Sequence, residues 1–292
     1  MTKLIQSLSE ISTNYDALFV DLWGCVHNGV TAYPDAAAAL QTYRKGGGKV
    51  VLVTNSPRPW RSVAEQLKGF GVADDAYDAI ATSGDSARAA MFLGAVGSKV
   101  YHIGTPDERD VFFAPMDLVG DEAMEITPVP LTEAEGIVCT GPFDAMADPS
   151  VNRADFLYAK QKGMKLLCAN PDIVVDRGET REWCAGALAA LYTDMGGESL
   201  YFGKPHPPIY DLARRRLARL GSVSDESIIC IGDGIGTDVM GGLGEGLDTL
   251  FITGGLAAKE FGDDPANPDP ARLSTWLSEQ NLAPTAAISF LR

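Results

Sequence analysis

The stretch Ala17-Leu18-Phe19-Val20-Asp21-Leu22-Trp23-Gly24 runs four apolar residues without alternation, then stops at a carboxylate and, three residues on, a glycine. An unbroken apolar run of this length suits a strand buried on both faces of a parallel sheet. The pattern recurs at Lys49-Val50-Val51-Leu52-Val53, Gly136-Ile137-Val138-Cys139, Lys165-Leu166-Leu167-Cys168, Ser227-Ile228-Ile229-Cys230-Ile231 and Thr249-Leu250-Phe251-Ile252. Helical patterns alternate with these runs, over Ala36 to Lys45, Pro57 to Phe70, Thr180 to Met195 and Pro207 to Leu220. The glycine triplet Gly46-Gly47-Gly48 and the pair Gly196-Gly197 supply helix stops. Strand–helix alternation predicts an α/β fold. Ligands of open parallel sheets bind beyond the carboxyl ends of the strands, so the residues at those ends are the candidates for chemistry.

Four ends are chemically pointed. They are Asp21; Thr54-Asn55-Ser56; Gly203-Lys204-Pro205; and Gly232-Asp233-Gly234-Ile235-Gly236-Thr237-Asp238. A carboxylate can attack phosphorus and form an aspartyl-phosphate that water hydrolyses. Two anions repel, so such an attack calls for a divalent cation between them. Magnesium takes oxygen ligands and only one or two protein carboxylates, a count that Asp21 and Asp233 meet. The Thr54 hydroxyl, Asn55, Ser56 and nearby backbone N–H groups can hold phosphoryl oxygens, and Lys204 can neutralise their charge. Each part alone has a plainer reading. Asp after a strand caps turns, and acidic glycine loops also bind calcium. The ordered set of four is what points to phosphoryl transfer.

That ordered set resembles the haloacid dehalogenase superfamily of phosphohydrolases, with Asp21, Thr54, Lys204 and the Asp233/Asp238 pair on its four motifs. The runs Asp21 to Gly29, Thr54-Asn55-Ser56, Thr82-Ser83-Gly84, Asn170-Pro171-Asp172 and Phe202-Gly203-Lys204-Pro205 look like the subfamily of nucleotide phosphatases, 4-nitrophenyl phosphatases and pyridoxal phosphate phosphatase. The resemblance implies a Rossmann-like parallel-sheet core (residues 1–83 and 198–292) with an inserted α/β cap (residues 84–197). It implies a metal ligand from the Trp23 carbonyl and an outer-shell or lysine-orienting role for Asp238. It also implies that the turn at Asn170 and Asp172 leans over the site and touches substrate, and that caps of this type pair two copies of the chain. The expected cofactor is Mg2+, and the expected substrate is a small phosphorylated metabolite.

One position departs from that family. Its phosphatases carry a second aspartate two residues after the nucleophile, as general acid and base; here Trp23 stands there. Indole neither gives nor takes a proton at useful pH. Three readings stay open: substrates with good leaving groups, a replacement acid such as His27, or a phospho-ligand-binding protein with little turnover. Carbon–halogen cleavage is a fourth, since haloacid dehalogenases also lack the second aspartate, but the retained Gly-Asp-x-x-x-x-Asp argues for magnesium and phosphorus.

Composition sets the outer limits. The 292 residues carry a formal charge of -15, which disfavours binding to nucleic acid or anionic membrane. Cys25, Cys139, Cys168, Cys184 and Cys230 are odd in number, widely spaced and without a CxxC pair; they read as reduced core residues of a cytoplasmic protein. The polar N-terminus reads as no signal peptide, and no apolar run is long enough to span a bilayer.

Overall fold

The computed structural model describes residues 2–116, 120, 123–177 and 180–292. Fourteen strands are found among them: β1 Lys3–Leu4, β2 Ala17–Val20, β3 Lys49–Thr54, β4 Ala79–Thr82, β5 Lys99–Ile103, β6 Thr127–Pro128, β7 Gly136–Cys139, β8 Lys165–Cys168, β9 Val174–Arg177, β10 Thr180–Trp183, β11 Glu198–Tyr201, β12 Ile228–Gly232, β13 Asp248–Ile252 and β14 Ala286–Ile288. They form three sheets, of order β1-β14-β13-β12-β2-β3-β4, β11-β8-β7-β5-β6, and β10-β9. The chain packs as two compact units, one of Met1–Thr54, Ala64–Ala81 and Tyr210–Arg292, the other of Asn55–Val63 and Thr82–Ile209.

In the first unit the apolar runs do what their composition dictates. All of β2 and all of β12 are buried, and β2 lies parallel to both β12 and β3 at the middle of the sheet. A central parallel strand has helices on both faces, which is why its sequence shows no alternation. Carboxyl ends of β2, β3 and β12 therefore open side by side, and Asp21, Thr54 and Asp233 sit there. The helix Pro34–Lys45 begins with proline at its first turn and ends at Gly46.

In the second unit β5, β7, β8 and β11 are parallel neighbours. Two apolar clusters pack on this sheet. One is built on Phe156, Leu166, Leu188 and Tyr192, the other on Met91, Phe112, Val138 and Leu167. The helix Ser83–Phe92 is capped by Thr82, whose hydroxyl accepts the Asp85 N–H at 2.9 Å.

The expected helix over Thr180 to Met195 needs correction. Its first four residues are β10, paired antiparallel with β9 in the register Thr180↔Arg177 to Trp183↔Val174. The helix begins only at Ala185. Thr, Arg, Glu and Trp fit a half-exposed two-stranded ladder as well as an amphipathic turn, and pairing with Val174–Arg177 tips the balance. No helix among the described residues is long and apolar enough to cross a membrane. All five cysteines are buried.

Candidate active site

Asp21 leaves the sheet with its backbone still in the ladder, since its N–H donates to the Ile231 carbonyl at 2.8 Å. The side chain is buried, as are those of Thr54, Asp233 and Asp238. Ligand atoms of Asp21, Cys25 and Asp233 all lie within 4.8 Å of one another. Two carboxylates this close in a buried setting repel unless a cation lies between them. Two oxygens bound to one magnesium are separated by at most about 4 Å, so the spacing suits such an ion after small side-chain adjustment.

The loop after β2 is wound to bring Asp233 close. N–H groups of Cys25, Val26 and His27 all donate to the Leu22 carbonyl, and Gly24 N–H donates to the His27 carbonyl. Gly24 has φ +78, and a Cβ there would lie 2.3 Å from Asp233 Oδ2. A second backbone segment presses from the other side: a Cβ on Gly255 would meet the same oxygen at 2.0 Å, and Leu256 N–H donates to it at 2.9 Å. These two glycines let main chain approach the carboxylate, and the hydrogen bond aims it.

Asp238 braces the loop it belongs to. Its Oδ2 accepts the Gly234 N–H at 3.1 Å and the Thr237 hydroxyl at 3.3 Å, and Gly232 is bare because a Cβ would fall 2.0 Å from the Asp238 carboxyl carbon.

Trp23 and His27 close the loop. The indole packs edge-on to the His27 ring at 5.5 Å and lies over Gly29, where a Cβ would come within 2.3 Å of it. His27 also meets Phe70 edge-on at 5.0 Å, and its Nδ1 accepts the Gly29 N–H at 3.0 Å. That bond puts the single ring proton on Nε2. Burial pushes its pKa down to about 4, so at neutral pH the ring is uncharged and a poor acid. The geometry makes His27 a pillar of the loop.

In the second unit Lys204 is 3% exposed, and its peptide bond to Pro205 is cis. The Asn55 carboxamide oxygen accepts the Lys204 N–H at 2.7 Å, while its NH2 group donates to the Lys204 carbonyl at 3.1 Å and to Asp172 Oδ1 at 2.8 Å. Asn170 Oδ1 accepts the Asp172 N–H at 3.0 Å, the self-bonded turn expected of Asn-Pro-Asp. Ser56 Oγ accepts the Arg58 N–H at 3.3 Å, and the Ser56 carbonyl accepts Gly84 N–H at 3.0 Å.

Residues 18–114 match a family model described as haloacid dehalogenase-like hydrolase, and residues 201–275 match one described as HAD-hydrolase-like. A crystal structure of a haloacid dehalogenase-like hydrolase from Brucella suis 1330 is 38% identical, covering 99% of this chain and 100% of that one, with a TM-score of 0.83. The chain belongs to the haloacid dehalogenase-like hydrolase family. Further relatives of this hydrolase include the 5'-nucleotidase YutF of Bacillus subtilis (strain 168), 26% identical over 90% of this chain and 98% of that protein. A glycerol-3-phosphate phosphatase of Homo sapiens is 25% identical over 92% of this chain and 86% of its own length.

Within this hydrolase the first unit thus brings together Asp21, Thr54, Asp233 and Asp238, and the second brings together Asn55, Asn170, Asp172 and Lys204. Sequence reasoning missed Cys25 as a neighbour of the two carboxylates and missed the backbone at Gly255-Leu256. The first had a signal, since the Gly24 turn folds the next residue back. The second had a weaker one, the Gly254-Gly255 pair after β13.

Proposed function

We propose that this hydrolase is a magnesium-dependent phosphatase of small phosphorylated metabolites, with Asp21 as nucleophile. The observation that carries the reading is the buried convergence of the Asp21 and Asp233 carboxylate oxygens within 4.8 Å, an oxygen pair that suits magnesium. Relatives named as a nucleotidase and a glycerol-3-phosphate phosphatase support the substrate class.

Asp21, Asp233 and the Trp23 carbonyl would hold the cation, which when bound supplies positive charge to the phosphoryl group. A carboxylate oxygen of Asp21 attacks phosphorus in line. The bond from phosphorus to the leaving oxygen breaks, and its electron pair departs with that oxygen. Water then hydrolyses the aspartyl-phosphate and restores Asp21. Thr54, with the backbone N–H groups of Asn55 and Ser56, holds the non-bridging oxygens, and Lys204 offsets their charge. Asp238 keeps the Asp233 loop in shape. Asn170 and the residues around it, in the segment read as a cap, set which substrate is admitted.

Trp23 shapes the substrate preference. General acid help is worth about a hundred- to ten-thousand-fold, and neither Trp23 nor neutral His27 supplies it. Phosphates whose leaving group needs no proton, aryl and acyl phosphates, are therefore the better substrates. The same observation favours a second reading, a phospho-ligand-binding protein with little turnover. Phosphate release from a panel of esters including 4-nitrophenyl phosphate separates the two. Turnover is expected with Mg2+, and its loss on chelation and in Asp21→Asn. Turnover that survives both changes would sink the mechanism; tight binding of phosphorylated ligands with no turnover would establish the second reading.

A further inference from the structure

We infer that Asn55 is a positioning residue: its side chain locks the main chain of Lys204 to the Asn170-Pro171-Asp172 turn and reaches the reaction only through Lys204. The inference rests on the phosphatase reading above and deepens it.

A carboxamide offers one acceptor oxygen and two N–H donors. In Asn55 the oxygen takes the Lys204 N–H at 2.7 Å, one N–H goes to the Lys204 carbonyl at 3.1 Å, and the other to Asp172 Oδ1 at 2.8 Å. These partners fix the orientation of the amide, because flipping it would set N–H against N–H and oxygen against oxygen. With all its polar atoms committed, and only 5% exposed, the side chain has no hydrogen left for a phosphoryl oxygen. Its backbone remains part of the Thr54-Asn55-Ser56 segment. The side chain instead does for Lys204 what a neighbouring strand would do, satisfying both its N–H and its carbonyl.

The surroundings are built for this contact. A Cβ on Gly203 would stand 2.5 Å from Asn55 Oδ1 and 2.6 Å from Pro171 Cδ. A Cβ on Gly186 would stand 2.1 Å from the Pro171 carbonyl oxygen, and Gly186 N–H donates to the Asp172 carbonyl at 3.1 Å. Asp172 is held in turn by Asn170. Bare glycines on two sides bring the lysine segment, the turn and Asn55 into register. A carboxylate at position 55 would keep the acceptor for Lys204 N–H but face the Asp172 carboxylate and the Lys204 carbonyl with no proton to give. The asparagine is therefore specified by its donors.

The test is a double-substitution cycle on the full-length protein with 4-nitrophenyl phosphate and Mg2+, using Asn55→Ala, Lys204→Met and the pair. Misplacing a catalytic group by about 1 Å can cost a hundredfold, so Asn55→Ala is expected to lower kcat by up to that order with little change in KM. In the Lys204→Met background the same change should add little, since both act through one group. Asn55→Asp, nearly isosteric, should show the same kcat loss if Asn55→Ala folds poorly. Asp172→Asn, which keeps an acceptor, should retain most of the turnover that Asp172→Leu loses. Amide hydrogen exchange at Lys204 gives a readout independent of activity and should speed up in Asn55→Ala, which removes the acceptor of the Lys204 N–H. Fully additive losses, or a rise in KM with kcat unchanged, would mean that Asn55 touches the substrate directly and would overturn the inference while leaving the phosphatase reading intact. Undiminished turnover in Lys204→Met would instead overturn the role of Lys204, and unchanged exchange at Lys204 would overturn the lock itself.

Discussion

At the scale of single residues, Trp23 concentrates the unusual chemistry. It sits two positions from the proposed nucleophile, packed on His27 and Gly29. Trp23→Asp is expected to raise turnover of alkyl phosphates by about a hundredfold or more, with a much smaller gain on 4-nitrophenyl phosphate. Equal effects on both classes, or none, would remove Trp23 from the account of leaving-group preference. His27, the acid that the sequence offered, is neutral and built into the loop. Its role was illegible because burial and ring contacts, not residue type, decide which form of an imidazole persists.

His102, in the second unit, shows the same burial effect. Its Nε2 lies 2.9 Å from Thr140 Oγ1, its ring meets Phe113 edge-on at 5.6 Å, and burial, aided by the Arg109 charge, lowers its pKa to about 4. An unfolded chain binds the His102 proton near pH 6.5, whereas the folded chain does so only near 4. The contribution to stability is therefore complete above pH 6.5 and is lost as pH falls toward 4. His102→Gln should flatten this part of the stability profile by about 2 kcal/mol, read by urea unfolding at pH 7 and pH 4.5. Parallel profiles for the two proteins would contradict the assignment.

At the scale of elements, the strands that bury both faces were legible, because β2, β3 and β12 announce themselves as apolar runs ending in Asp21, Thr54 and Gly232-Asp233. Short or half-exposed strands were not. β10 reads like the first turn of a helix, and β14 has only three residues, so pairing partners decide them. The loops that aim Asp233 were half legible. Gly24 stood out in its motif, whereas the approach of Gly255 depends on how the turn after β13 returns to the sheet. Gly255→Ala places a methyl group where Asp233 Oδ2 lies. Mg2+ at a hundred times its Kd should stabilise the wild type by about 2.7 kcal/mol, raising its Tm. The Tm of Gly255→Ala should not respond. An equal rise in both would show that Asp233 does not hold the ion.

At the scale of the whole molecule, the family was legible in the ordered motifs. The partnership of Asn55, Lys204 and Asp172 was not, because residues far apart in sequence meet there through side-chain hydrogen bonds that no spacing encodes. Charge acts at this scale as well. A net charge of -15 repels an anionic substrate, and salt screens that repulsion over a Debye length of about 8 Å at physiological ionic strength. With Mg2+ saturating, kcat/KM for 4-nitrophenyl phosphate should rise as NaCl is added from low ionic strength. A steep fall would reveal a locally positive approach that outweighs the overall field.

The central claim is that Asp21 forms the covalent intermediate. Acid-quenching the protein during turnover of 4-nitrophenyl phosphate, followed by mass spectrometry of its peptides, tests this most directly. The account predicts a phosphoryl group on the peptide carrying Asp21, absent in Asp21→Asn and without Mg2+. A phosphoryl group on any other residue, or steady turnover with none trapped and no burst of 4-nitrophenol, would contradict it.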